Sequence, residues 1–148
     1  MGRGLSELQK TILKLSWDEL EEHKKARIEV RNDPELLAEW LAVYVGRDDK
    51  PAPEKFAVMV KDNWLGLIET NDIFVKFYGW SPRTDRFGNR YFSKSEIGSK
   101  AYMAAYIAVR KSLNRLISRR LLTASEGGRY RGYHLTSEGK DLMAKPGQ

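Results

Sequence analysis

Five cationic side chains lie in the segment VRKSLNRLISRRLL, residues 109–122, and no acidic residue accompanies them. They are Arg110, Lys111, Arg115, Arg119 and Arg120. A helix face that met only solvent would normally mix the two charge signs, because opposite charges four residues apart attract each other. Guanidinium and ammonium groups donate hydrogen bonds to phosphates and to guanine edges. These residue types therefore indicate recognition of a polyanion.

The apolar residues of the same region recur at helical spacing and predict one long amphipathic helix over roughly residues 99–120. At about 100° per residue, Val109 is the centre of a stripe expected to face the core, which also holds Tyr102, Ala105, Tyr106, Leu113 and Leu116. The opposite face, named the outer face below, carries Lys100, Met103, Ala104, Ile107, Lys111, Asn114 and Ser118, and it is flanked by Arg110 and Arg115.

This outer face has side chains suited to a DNA major groove. Ala104 is small enough to permit close approach, Ile107 can contact a thymine methyl group, and Asn114 can pair with an adenine edge. Lys111 and the two flanking arginines can reach guanine edges or phosphates. Taken singly, these residues have simpler explanations, since Met103 and Ile107 could pack on another helix or a dimer partner, and Asn114 could merely be solvated. The DNA interpretation rests on their joint presence on one face.

The net charge is distributed unevenly along the chain. Residues 1–78 hold 12 Lys/Arg and 15 Asp/Glu, a net charge of −3, and residues 79–148 hold 14 and 5, a net charge of +9. The sum is the formal net charge of +6. Arg119 and Arg120 could merely complement the C-terminus of their helix. The asymmetry as a whole predicts a polyanionic partner for the C-terminal half, nucleic acid before membrane.

The length of 148 residues and the composition are those of a single globular domain. No apolar run approaches the about 20 residues that cross a bilayer, and MGRGLSELQK lacks the apolar stretch of a signal peptide. We therefore expect no membrane partner and a cytoplasmic location. The chain contains no cysteine, which excludes disulfides and thiol catalysis.

Two helices are predicted in the N-terminal half. The first begins at Ser6, because SELQ is a capping box with Gln9, and it can continue through DELEEHKKARIEV as a solvated segment. In NDPELLAEWLAVYVG, Asp33 is the predicted N-cap and Gly46 the predicted end. Each helix has an apolar stripe that is a candidate dimerisation surface or completes the monomer core: Leu8-Ile12-Leu15 and Leu36-Trp40-Tyr44. EKFAVMVKDNWLGL, residues 54–67, is ambiguous between helix and strand, and we favour helix.

Short elements are predicted between these helices and the long basic one. Leu67 to Glu69 can form a strand, and Asn71 can cap a helix over residues 72–78 that ends at Gly79. SPRTDRFGNR has the composition of a loop. In YFSKSEIG, the residues Ser93 and Glu96 form a second capping box.

The last 30 residues predict a hairpin and a short helix. LLTASEGGRYRGYHL consists of two alternating segments joined at SEGG, which indicates a β-hairpin with its glycines at the turn. Thr136 or Ser137 can then cap a final helix.

The segment VRKSLNRLISRRLLTASEGGRYRGYHLTSEGKDLM resembles the recognition helix, the wing and the following segment of a winged helix-turn-helix domain, as in MarR- and PadR-like transcriptional regulators. The family pattern is V-S-R-x-L-x-R-L-x-x-x-G-L-[IV], then a hairpin, then Y-x-L-T-x-x-G. The matching residues are Val109, Leu113, Arg115, Leu116, Leu121, Leu122, Tyr133, Leu135, Thr136 and Gly139. NDIFVKFYGW is similar to the family's second helix, so the resemblance covers roughly residues 67–143. Arg120 stands where the family usually has glycine, and it would need a left-handed conformation or another route out of the helix.

The resemblance implies a mainly α fold with a small β-hairpin wing, which is an α+β class. A winged helix-turn-helix over residues 67–148 would follow a helical N-terminal extension over residues 1–66. The implied function is sequence-specific binding of double-stranded DNA by a transcriptional regulator, acting as a homodimer on two half-sites. The helix at 99–120 would enter the major groove with Lys100, Ala104, Ile107, Arg110, Lys111, Asn114 and Arg115. The hairpin at 121–135, with Arg129 and Arg131, would lie along the backbone or the minor groove.

Other interpretations use the same residues. Because a fold does not determine its ligand, the chain could be a protein- or RNA-binding module of a larger assembly. Aromatic residues near basic ones could then stack on unpaired bases, and the candidates are Tyr91, Phe92, Tyr130 and Tyr133. A plasmid or phage replication or partition protein would share the DNA chemistry but not the regulatory role.

An enzyme is not expected. His23 and His134 lie in no metal-binding pattern, and His134 is the expected surface residue of a strand. GRGLSE lacks the lysine and the preceding strand of a phosphate loop. No nucleophile, base and orienting residue occur together, so we expect neither a cofactor nor a metal.

Overall fold

The computed structural model describes residues 4–43, 65–127 and 130–145. The helices are α1 (Glu7–Asn32), α2 (Pro34–Val43), α3 (Thr70–Tyr78), α4 (Lys94–Ile97), α5 (Ser99–Ser118) and α6 (Ser137–Ala144). The strands form two antiparallel pairs, β1 (Arg83–Thr84) with β2 (Arg90–Tyr91) and β3 (Leu122–Gly127) with β4 (Tyr130–Leu135). The predicted mainly helical α+β class is confirmed.

Both N-terminal helices begin at the predicted caps. Ser6 Oγ accepts the N–H of Gln9 at 3.1 Å, and Gln9 Oε1 accepts the N–H of Ser6 at 3.0 Å, which completes the capping box. α1 then continues to Asn32, through the predicted solvated segment. Asp33 Oδ1 accepts backbone N–H groups at the start of α2. The predicted end at Gly46, and residues 54–64 of the ambiguous segment, lie outside the described residues.

α3 starts earlier than predicted. Its N-cap is Glu69 rather than Asn71, because the side chain of Asp72 accepts the N–H of Glu69 at 2.7 Å and starts the helix at Thr70. Its end is at the predicted residue, since Gly79 has the left-handed φ of 70° that terminates helices.

The segment predicted as a loop contains the β1–β2 hairpin. Arg83 pairs with Tyr91 and Thr84 with Arg90. The prediction was wrong because these strands are only two residues long, too short to show an alternating pattern. Half of the capping box predicted next is present, since Ser93 Oγ accepts the N–H of Glu96 at the start of α4, whereas the Glu96 carboxylate pairs with Arg83.

The core lies where α1, α3 and α5 meet beside the β3–β4 hairpin. Ile12 and Leu13 of α1, and Val109 and Leu116 of α5, have no exposed surface. Leu8 is also buried, so the apolar stripe of α1 completes the core of the chain, which was one of the two roles considered for it. Residues of the predicted N-terminal extension and of the C-terminal half thus share one core.

Two connections position α5 and the hairpin after it. Ile68 and Tyr133 exchange two backbone hydrogen bonds of 2.8 Å, so the predicted short strand at 67–69 appears as a single antiparallel bridge to β4. At the end of α5, Arg120 adopts the left-handed conformation, with φ of 61°. The hydroxyl of Thr136 donates to the carbonyl of Arg120 and accepts the N–H of Gly139, which starts α6.

Candidate nucleic-acid interface

The buried side of α5 follows the predicted helical stripe except at Tyr106, and it also includes Ser112. Ala105, Val109, Leu113 and Leu116 are buried, and Tyr102 is partly buried. Tyr106 is 37% exposed, which corrects its assignment to the core-facing stripe. It lies about 60° from the centre of the stripe, at its boundary, where its hydroxyl reaches solvent and accepts a hydrogen bond from Arg110 Nη1 at 3.1 Å.

All seven site residues predicted on α5 are exposed along one side of the helix: Lys100, Ala104, Ile107, Arg110, Lys111, Asn114 and Arg115. Met103 and Ile107 are 47% and 48% exposed, so neither is buried against another helix of the described chain. The 20 residues of α5 include no acidic residue. Within the described part of the molecule, none of its cations forms an ion pair. The outer face therefore combines uncompensated positive charge with accessible apolar groups.

The dimensions of α5 suit a duplex. A helix of 20 residues is about 30 Å long and, with its side chains, about 10–12 Å wide. The major groove of B-form DNA is about 12 Å wide, so it admits one such helix. The smallest side chain of the outer face is that of Ala104, which lies about one helical turn after Lys100 near the start of α5. The cations Arg110, Lys111 and Arg115 follow in the second half of the helix. The helix can thus approach most closely near its N-terminal end.

An aromatic cluster holds the first half of α5 against α3. It consists of Phe74, Tyr78, Trp80, Phe92 and Tyr102. The rings of Trp80 and Tyr102 stack at 5.7 Å between centroids, and those of Phe74 and Trp80 at 4.9 Å. Such stacked pairs stabilise beyond the area that they bury. Burial also raises the pKa of Tyr78.

This cluster corrects one candidate for base stacking. Phe92 is only 9% exposed and packs against Phe74, so it is a core residue and cannot stack on an unpaired base. Tyr91, its neighbour in sequence, is 45% exposed. Tyr133 is partly buried against the core, and the side chain of Tyr130 lies outside the described part of the chain.

The two predicted site residues of the β3–β4 hairpin lie wholly or partly outside the described residues. Arg129 lies outside the described residues. The backbone of Arg131 pairs with Glu126 in the hairpin, while its side chain is outside the described part.

Neither histidine belongs to the outer face of α5, since His23 lies on α1 and His134 on β4. His134 is partly buried, and burial, followed by the charge of Lys140, lowers its pKa, so it is neutral at physiological pH. His23 belongs to α1, where its Nδ1 accepts the N–H of Gly66 at 3.1 Å. In the ranges 4–43, 65–127 and 130–145, no three His, Cys, Asp or Glu side chains are grouped as metal ligands.

The exposed tip of the β1–β2 hairpin is a surface that sequence analysis did not identify. Arg86 and Phe87 lie there, and Phe87 is 74% exposed. The signal in the sequence is Asp85 followed by Gly88, a turn pattern between two short segments, but the composition of the whole stretch predicts a loop.

None of the helices in the described ranges has the length and apolarity needed to cross a membrane. Comparison of the chain with protein-family models, with curated proteins and with solved structures finds no match.

Proposed function

We propose that the protein binds double-stranded DNA in a sequence-specific manner and regulates transcription in the cytoplasm as a homodimer. The observation that carries this proposal is the outer face of α5. Its cations have no described ion-pair partner, and no acid accompanies them on the helix. A partner with many negative charges would provide the missing counter-charges, and the phosphates of DNA do so at regular spacing.

The order of the elements supports a winged helix-turn-helix. In such a domain a short strand, a helix, a recognition helix and a hairpin follow one another. Here Ile68, α3, α5 and the β3–β4 pair have that order, and Ile68 is bridged to β4. Arg120 also takes the left-handed conformation that the family's glycine would adopt. The β1–β2 hairpin and α4 are additions between the two helices of the motif.

In the proposed complex, the site residues of the outer face and its two flanking arginines divide into two groups. Ala104, Ile107 and Asn114 contact base edges and methyl groups, which distinguishes one sequence from another. Lys100, Arg110, Lys111 and Arg115 contact phosphates or guanine edges. Arg129 and Arg131 of the hairpin lie along the backbone or in the minor groove, where they contribute affinity for any sequence.

The proposal is tested by selecting duplexes from a random-sequence pool at physiological salt. We expect enrichment of a motif with two-fold symmetry, since a homodimer presents the same face to two half-sites. Enrichment without symmetry would contradict the homodimer, and retention without enrichment would contradict specific recognition. If no duplex is retained, the proposed function is wrong and the chain is better explained as a protein- or RNA-binding module.

The residue assignment is tested with Asn114→Ala on the selected duplex. The substitution should weaken binding to that duplex by about 1–3 kcal/mol and leave binding to unrelated duplexes unchanged, because only the base contact is lost. Asn32→Ala, an exposed asparagine at the end of α1, is the matched control and should leave both affinities unchanged. Equal behaviour of the two variants would remove Asn114 from the interface.

A further inference from the structure

The tip of the β1–β2 hairpin is a hydrogen-bonded turn that projects from the body of the molecule. Asp85 Oδ1 accepts the N–H groups of Phe87 and Asn89, both at 2.9 Å. The carbonyl of Asn89 accepts the N–H of Asp85 at 2.9 Å, and Gly88 has a left-handed φ of 84°. A Cβ atom at Gly88 would meet no atom within 4 Å, so the turn stands in open space.

Phe87 is not needed by this turn. The conformation depends on the carboxylate of Asp85 and on the glycine at position 88, whereas residue 87 contributes only its backbone N–H. The ring of Phe87 does not belong to the core cluster. Its described neighbour is the guanidinium of Arg86, whose Cζ lies 4.9 Å from the ring centroid. Removal of such a large apolar ring from water is favourable, so a partner that accommodates both the ring and the neighbouring cation would bind here.

The base of the hairpin is attached near the start of α5. Arg83 forms an ion pair with Glu96 of α4, and α4 immediately precedes α5 and packs against it. Phe92, the residue after β2, is anchored in the aromatic cluster at 5.8 Å from Trp80. The hairpin therefore lies on the N-terminal side of α5, whereas the β3–β4 hairpin follows its C-terminal end.

The charge of the hairpin favours a polyanion. Residues 83–91 contain three arginines and one aspartate, a net charge of +2. The carboxylate of Asp85 accepts hydrogen bonds of the turn itself, which leaves Arg86 and Arg90 exposed on the hairpin. Arginine is attracted to the negative potential of the minor groove, and apolar side chains such as phenylalanine enter it as wedges between base steps.

We propose that the β1–β2 hairpin is a second DNA contact, in which Phe87 and Arg86 enter the minor groove beside the major-groove segment bound by α5. This inference rests on the proposed function, because it requires α5 on duplex DNA. With α5 in the major groove, an element attached at one end of the helix lies over the backbone and the adjacent minor groove. The two hairpins would then contact the duplex on either side of the helix.

The test uses the full chain and the duplex selected from the random pool, with 2-aminopurine placed in turn at the steps flanking the selected motif. Insertion of Phe87 unstacks one step, so the fluorescence of one labelled duplex should rise on binding. Phe87→Ala should abolish the fluorescence rise and weaken binding about tenfold. Phe87→Leu should retain most of the fluorescence rise. Arg86→Ala should shorten the hydroxyl-radical footprint on the same side.

Two matched variants on α1 serve as controls. Ile28→Ala removes an exposed apolar side chain and Arg31→Ala removes an exposed cation, both far in sequence from the hairpin. Neither should change the affinity or the footprint. If the wild-type chain binds the selected duplex through Asn114 but Phe87→Ala and Arg86→Ala bind as tightly as the controls, the hairpin inference is overturned and the proposed function stands. If the wild-type chain binds no duplex, both are overturned.

Discussion

α1 and α5 are the two longest described helices, and they bury similar faces in one core. α1 contributes Ile12 and Leu13 and α5 contributes Val109 and Leu116, all without exposed surface. Both helices show the spacing of apolar residues that one-sided burial requires. On their buried sides the two helices are therefore alike.

Their outward-facing sides differ in charge. α1 carries six Lys/Arg and six Asp/Glu, and it forms ion pairs such as Lys10 with Glu7 at 3.4 Å and Lys14 with Asp18 at 3.2 Å. α5 carries four Lys/Arg and no acid. A solvated face needs only polar side chains, and mixed signs serve it well. Solvation does not explain why the charged residues of α5 are all basic. The functional proposal therefore rests on this helix.

The largest expected effects test whether the buried sides are equivalent. Leu13→Ala in α1 and Leu116→Ala in α5 should each lower the free energy of unfolding by about 2–5 kcal/mol, because each leaves a cavity in the same core. Urea titration followed by circular dichroism measures this, and each variant should unfold in one transition. The matched control is Leu41→Ala, at a 54% exposed position of α2, with an expected change within about 0.5 kcal/mol. A separate transition for either helix would show that the core is not shared.

An intermediate effect tests the link between the two helices. α6 contacts α1, and its Gly139 packs on Leu121, three residues after the end of α5, since a Cβ at Gly139 would lie 2.1 Å from the carbonyl oxygen of Leu121. Gly139→Ala should cost about 1–3 kcal/mol of stability through overpacking. Gly4→Ala adds the same methyl group where no atom lies within 4 Å and is the control in thermal unfolding. Equal melting temperatures for the two variants would contradict the close packing at Gly139.

The smallest stability effects separate the two outward-facing sides. Lys14→Ala removes an exposed ion pair and should cost at most about 0.5 kcal/mol, without any effect on DNA binding. Lys111→Ala should leave stability unchanged but lower the slope of log affinity against log salt concentration by about one, because one phosphate contact is lost. Fluorescence anisotropy with a labelled duplex at several salt concentrations measures the slope. If both lysines changed the slope equally, the contrast between α1 and α5 would have no functional meaning.

The features that could be predicted from the sequence are those made by nearby residues. The caps at Ser6, Asp33 and Thr136 all use hydrogen bonds to groups two or three positions ahead. The exposure of Lys100, Lys111 and Asn114 follows from the helical period alone. The start of α3 was missed although it is local, because the side chain of Asp72 caps backward onto Glu69 and Asn71 is the more usual N-cap type.

Other features depend on which distant residues come together. Phe92 is buried because Phe74 and Trp80 pack against it, and its own neighbours in sequence do not reveal this. The β1–β2 hairpin has two-residue strands, and its ion pair from Arg83 to Glu96 joins it to α4. Tyr106 lies at the edge of a stripe, where a small rotation of the helix decides between core and solvent.

The sequence by itself determined the helix starts at Ser6, Asp33 and Thr136, the hairpin after α5 and the exclusively positive charge of that helix's outer face. Hydrogen-bond caps and helical periodicity act over a few residues, so they can be predicted locally. Only the tertiary structure decided that the stripe of α1 fills the same core as α5 and that Phe87 is left in solvent on a turn of its own. Burial depends on the surfaces that distant segments bring to one place, and no short stretch of the chain contains that information.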